Sequence, residues 1–366
     1  MKNNEILFRA IFLIVSLLLV GGIIILIYTF QGGQQDDSTT VGVVCIGTSD
    51  DHGWNESHYK GVKKAVEAHG CDMHEKMSVP EEEDALKKAV SELAKEGCNC
   101  IFLTSYGYGA YLDDIAKENP DIAFYCISGE ATAGNCASYF ARMYQVRYLA
   151  GIVAGAASKT GTLAFVSAMP IPETVRSINA YTLGVRKANP AAKVIVKYTG
   201  SWDDKGKEEA AVKELAAVGA DVVTFHEDKP YAIDVADEMG LFTTGYDYVS
   251  RKYSERFLTA AVFNWDVLYE KVLGDYLSGR ANFSKNYWLG IADGAVSIYP
   301  YSELVSKETA ALVEQEKKRI QTWRDVFSGE IYDNAGTLRC HKDERISDDE
   351  LFNSIDWYVK GVEVYD

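Results

Sequence analysis

The sequence predicts an α/β protein of two hinged lobes, each a doubly wound parallel sheet covered by helices. Three observations carry this. Short apolar runs alternate with amphipathic stretches, the alternation forms two series of similar size, and 366 residues with 47% hydrophobic composition can bury a core in each of about two domains. Apolar runs bounded by glycine and polar turns are what a strand buried on both faces requires, which is the parallel arrangement.

The first series opens with a valine-rich strand over 41–46 that ends at Gly47-Thr48-Ser49-Asp50-Asp51. Helical spacing follows over 57–69, through Val62, Ala65, Val66 and Ala68. Residues 71–74 lead to a helix over 80–96, then a strand over 100–104, a helix over 111–117 and a strand over 122–127. The Ala- and Gly-rich stretch over 147–159 reads as a helix packed closely on a neighbour. The second series has strands over 163–166, 193–198, 221–225 and 242–244, separated by helices over 172–188, 206–218 and 231–238. The expected first lobe comprises 41–158 plus about 248–287, and the second comprises 159–247 plus about 288–366.

Ahead of both lobes, 11–28 is apolar apart from Ser16 and two glycines, close to the roughly 20 residues that span hydrocarbon. Lys2 and Arg9 precede it, which keeps the N-terminus in the cytoplasm and exports the rest. Residues 1–30 are therefore expected to be a membrane anchor or a cleaved signal segment, and the polar 31–40 a flexible tether. No A-x-A processing site or nearby lipid-attachment cysteine follows, which favours the anchor.

Composition excludes several classes of function. A net charge of -16 repels a phosphate backbone, and no basic patch is segregated, so nucleic acid is not an expected partner. The seven cysteines show no zinc or C-x-x-C spacing and fall mostly in apolar runs, as buried thiols do. The histidines show no metal-ligand spacing, so neither metal nor cofactor is expected. Gly107-Tyr108-Gly109 has Leu112 where a dinucleotide fingerprint needs its third glycine, and neither a nucleophile elbow nor a phosphate loop occurs. The chain is expected to be a binding protein with no catalytic residues.

In open α/β sheets, ligands collect beyond the carboxyl ends of the strands. Here those loops hold Trp54, Tyr106, Tyr108, Trp202, His226 and Tyr246 beside Asp50, Asp51, Glu130, Asp203, Asp204, Glu227, Asp228 and Asp247. Flat aromatic faces with acidic acceptors suit a planar ring that donates N–H bonds. Each residue also has an ordinary structural use. Asp203-Asp204 suits a helix cap, which removes Asp204 from the candidates; His226 suits a loop hydrogen bond; Trp265 suits packing between the lobes.

Asp51-His52-Gly53-Trp54-Asn55, Ser158-Lys159-Thr160-Gly161, Met169-Pro170-Ile171-Pro172-Glu173, Gly200-Ser201-Trp202-Asp203-Asp204 and Ile355-Asp356-Trp357-Tyr358 occur in order along the chain. Together they resemble the basic membrane protein family of transporter substrate-binding proteins. The resemblance implies the periplasmic-binding-protein type I fold and a monomeric extracytoplasmic receptor that delivers a purine nucleoside or base to an ABC permease. It places the base between Trp54 and Trp202, with carboxylates from Asp51 and Asp247. Asn264-Trp265 stands where nucleoside-binding members carry a lysine; with His226 and Asp228 this resembles a branch expected to take a free base such as adenine. Asn55, Tyr106 and Glu130 complete the candidate set. A tethered sensor that signals to a partner, or a receptor for another aromatic solute, remains the alternative.

Overall fold

The computed structural model describes residues 39–128, 132–283 and 286–365. The expected anchor, most of the tether and Glu130 lie outside the described residues. Two parallel-stranded sheets dominate the rest, and no described helix is long and apolar enough to cross a membrane.

The first sheet is built from β1 (Thr40–Val44), β2 (Asp72–Lys76), β3 (Cys100–Leu103), β4 (Ala123–Ile127), β5 (Cys136–Ala141) and β11 (Tyr287–Leu289), in the order β11-β5-β4-β3-β1-β2. All its pairings are parallel. Every residue of β3, β4 and β5 is buried, as strands with helices on both faces must be. Helices α1 (Trp54–His69), α2 (Glu83–Lys95) and α3 (Gly109–Glu118) connect β1 to β4.

The second sheet has β6 (Thr162–Ser167), β7 (Lys193–Tyr198), β8 (Val222–His226), β9 (Phe242–Asp247), β10 (Phe257–Phe263), β12 (Val296–Ile298) and β15 (Val362–Val364), in the order β12-β10-β9-β8-β6-β7-β15. Only β12 runs antiparallel to its neighbour. Helices α5 (Pro172–Ala188), α6 (Lys205–Ala217) and α7 (Tyr231–Glu238) connect β6 to β9. The remaining elements are α4 (Met143–Ala157), α8 (Trp265–Leu277), α9 (Lys307–Ile320) and a small hairpin of β13 (Ile331–Tyr332) and β14 (Leu338–Cys340).

The chain divides between the sheets differently from the expected boundaries. Helix α4 packs on α5 and β10 of the second sheet although it lies before residue 158. The segment expected over about 248–287 is split: β10 pairs with β9 in the second sheet, whereas α8 packs on α1 and β11 extends the first sheet. The physical reason is the close fit of α4 against α5. A Cβ on Gly151 would stand 2.2 Å from Tyr181 O, and one on Gly184 would stand 2.0 Å from Tyr148 O, so α4 and α5 touch backbone to backbone. Among the described residues the chain thus crosses between sheets at β5–α4, β10–α8 and β11–β12.

The α4–α5 contact gives a direct test. Gly184→Val is expected to destabilise the protein by about 1–3 kcal/mol in urea unfolding, as overpacking of a closed core does. Gly206→Ala, at a helical site whose nearest neighbour to an added Cβ is Asp204 Oδ1 at 3.5 Å, is expected to be neutral or stabilising.

Candidate functional site

The carboxyl ends of the two sheets face a common cavity. Ile46, Trp54, Ser105, Tyr106, Ile127 and Ser128 line it from loops that follow β1, β3 and β4. Glu173, Trp202, His226, Glu227, Asp228 and Tyr246 line it from the ends of β6 to β9. Both tryptophans therefore border one cavity, one from each lobe.

The lobes meet there through main chain. Asp228 O accepts the Trp54 N–H at 3.1 Å, and the Asp228 N–H donates to Trp202 O at 2.9 Å. A Cβ on Gly53 would lie 1.9 Å from Asp228 O, so only glycine permits this approach. The Trp54 indole is held rather than free. Its Nε1 donates to Thr104 O at 2.7 Å, and its ring stands edge-to-face against His58 and Trp265 at 4.3 and 5.5 Å. Glu81 fixes the loop that carries Tyr106, accepting from Ser105 Oγ at 2.5 Å and from the Gly107 N–H at 2.6 Å. Tyr106 itself is 49% exposed and sits at the rim.

The polar wall comes from β8 and α5. His226 Nε2 lies 2.8 Å from Tyr246 OH and 3.4 Å from Glu173 Oε1, while its buried Nδ1 has no partner. Burial pushes His226 down to about 4, against the pull of Glu173 and helped by Arg147 and Arg176, so the ring is neutral at pH 7. Burial alone would raise Glu173, but the His226 contact, the Arg176 charge and the Ser128 hydroxyl hold it below the usual range, as an anion. Glu227 behaves oppositely. Burial, then Glu208, pushes it up to about 10. Its Oε1 lies 2.9 Å from Thr199 Oγ1, and Oε2 has no partner. Burial, with Asp51, Asp203 and Asp247 nearby, also holds Asp228 well above the usual carboxylate range.

Of the expected residues that are described, the cavity brings together Trp54, Tyr106, Trp202, His226 and Asp228, while Asp51 and Asn55 line an adjoining pocket and Asp247, Asn264 and Trp265 line neither. Asp51 instead caps α1: its carboxylate accepts the N–H groups of Gly53, Asn55 and Glu56 at 2.9–3.0 Å. Asn55 spends its side chain on Asp51 Oδ2 and the Gly47 N–H. Asp247 is buried, accepts from Ser57 Oγ and Trp265 Nε1, and is pushed by burial to about 7. Asn264 precedes α8 and bonds Gly294 O and Ser297 Oγ. Trp265 stacks on Phe263 at 4.1 Å and His58 at 3.9 Å, in the packing between lobes. Ser105, Ser128 and Glu173 were not in the expected set, and Glu227 and Tyr246 were named only among the strand-end residues; Ser105 and Ser128 follow strand ends, whereas Glu173 stands in the first turn of α5. Among the described residues no cluster of His, Cys, Asp or Glu could hold a metal.

A family model described as ABC transporter substrate-binding protein PnrA-like matches residues 38–331. A purine-binding protein of Brucella abortus is 32% identical over 334 residues, covering 90% of this chain and 94% of the relative. A Haloferax volcanii ABC transporter protein named for glucose binding is 28% identical, covering 92% and 83%. Among solved structures, a transcriptional activator of the comK gene from Bacillus halodurans superposes with a TM-score of 0.69 at 24% identity, covering 78% of this chain and 98% of that one. An ABC transporter solute-binding protein of Aeropyrum pernix does so with a TM-score of 0.66 at 20% identity, covering 77% and 91%. These two likenesses show the fold, that of type I periplasmic binding proteins.

The main-chain junction has a measurable consequence. Gly53→Val is expected to hold the lobes apart, seen as a larger radius of gyration in small-angle scattering, with unfolding still cooperative. An unchanged radius would show that the junction does not govern closure.

Proposed function

Because the chain belongs to the PnrA-like family of ABC transporter substrate-binding proteins, we propose that its cavity binds a purine, as a free base such as adenine or as a nucleoside. One observation carries the reading: an indole from each lobe borders a single cavity whose wall also holds His226 and Glu227, each with an unpartnered polar atom. A planar heterocycle covers both indole faces and offers ring nitrogens to that wall.

The mechanism follows from the junction at Asp228. Ligand stacked on Trp54 has contacts in both lobes only when they are shut, so binding energy goes to the closed state. A permease in the membrane then meets a changed outer surface. We place the binding lobes outside the cytoplasmic membrane, held by residues 1–30. The buried side chains of Asp247, Ser57 and Trp265 brace the closed state from behind without touching the ligand.

Isothermal titration tests the cargo with adenine, hypoxanthine, adenosine and glucose on the same preparation. Purine binding with no glucose response is expected. Trp54→Ala and Trp202→Ala are each expected to weaken it by roughly tenfold or more, given about 1–3 kcal/mol per stacked base. Equal affinity in wild type and both variants, or a preference for glucose, would overturn the assignment.

A further inference from the structure

We propose that Glu227 works as a neutral carboxylic acid whose proton is handed to Thr199, leaving Oε2 as an uncharged acceptor for an N–H of a neutral heterocycle. The proposal rests on the purine reading for the ligand, but its protonation argument stands on the protein alone.

The argument is a count of protons. Thr199 Oγ1 lies 2.8 Å from Ser201 O and 2.9 Å from Glu227 Oε1, and it accepts the Ser201 N–H at 3.3 Å. A hydroxyl has one proton and two acceptor sites. A carbonyl oxygen can only accept, so the contact with Ser201 O uses the Thr199 proton. The contact with Glu227 is then satisfied only if Glu227 supplies a proton of its own. An ionised Glu227 would leave one of two close oxygen pairs without hydrogen between them, in a site where Glu227 is 2% exposed.

The surroundings favour the same form. Glu208 from α6, Asp203 from the loop before it and Asp228 next in the chain are the titratable neighbours that bear on Glu227 most, and all are acids. The nearby cation, Lys229, is paired with Asp203 at 2.8 Å. Glu208 is buried too; one of its oxygens accepts the Ala232 N–H at the start of α7 and the other has no partner. Arg147 and Arg176 bear on His226 and Glu173, and among the described residues neither forms an ion pair with Glu227.

With the proton on Oε1, Oε2 is the oxygen left for the ligand, and it can only accept. His226 Nδ1, one residue earlier, is the second unpartnered atom on the same wall. The pair therefore reads a ligand edge that carries an N–H, and it does so without charge. Three ionised acids in this cavity would favour cations; a neutral Glu227 shifts preference to uncharged nitrogen heterocycles.

Glu227→Gln separates the two states, because an amide reproduces the donor and acceptor of the neutral acid. The expected result is purine affinity within about threefold of wild type at each pH between 5.5 and 8.5, whereas loss of a bond to a charged group would cost about tenfold or more. Thermal unfolding without ligand gives a second readout. A group with a raised folded pKa contributes stability that is present below its unfolded pKa and fades as pH rises through the folded one. Glu227→Gln should therefore melt near wild type at pH 5 and above it at pH 8. A variant that binds more than tenfold weaker, or that gains no relative stability between pH 5 and 8, would overturn the proposal. If wild type binds no purine, the ligand reading fails on its own and the melting comparison still decides the protonation state.

Discussion

The closed arrangement depends on a single backbone approach. Gly53 lies so near Asp228 O that no side chain fits between them, and the Trp54 and Trp202 main chains both bond to Asp228. Because these bonds use peptide groups, they set the spacing of the two indoles without using any cavity side chain. The ring of Trp54 is then fixed by Thr104 O below and by His58 and Trp265 behind, which removes rotamer freedom before a ligand arrives.

Electrostatics divides the acids of the cleft into two groups. The side chain of Asp51 accepts several N–H groups at the start of α1, where the helix dipole favours negative charge. Burial drives both Glu227 and Asp247 upward, in Asp247 against the pull of the Arg147 charge. A protein with net charge -16 can close such a cleft only if some of those carboxyls stay uncharged, since mutual repulsion in a site of low dielectric grows as the lobes approach.

Much of the fold was legible because parallel strands buried on both faces must be apolar runs and must be joined by helices. The rule passed over β5 and β10, which follow β4 and β9 with no helix between, and it misplaced α4, whose allegiance is decided by glycines at its contact with α5, Gly151 and Gly155 on α4 and Gly184 on α5. At the site, aromatic residues after strand ends were readable from position. Asp51 stood at a helix start, where short polar residues commonly cap, and that local job accounts for it, whereas the Asn264 side chain is spent on Gly294 and Ser297. Glu173 and Glu227 were not singled out, since their character comes from His226, Arg176 and Thr199, neighbours that only folding assembles.

The three crossings between the sheets carry one more implication. Segments that run side by side from one half to the other restrain sliding and twisting far more than bending, so the halves swing about one line. Such a hinge leaves one angle as the main freedom between the halves, so whatever reads the outer face reads that single angle.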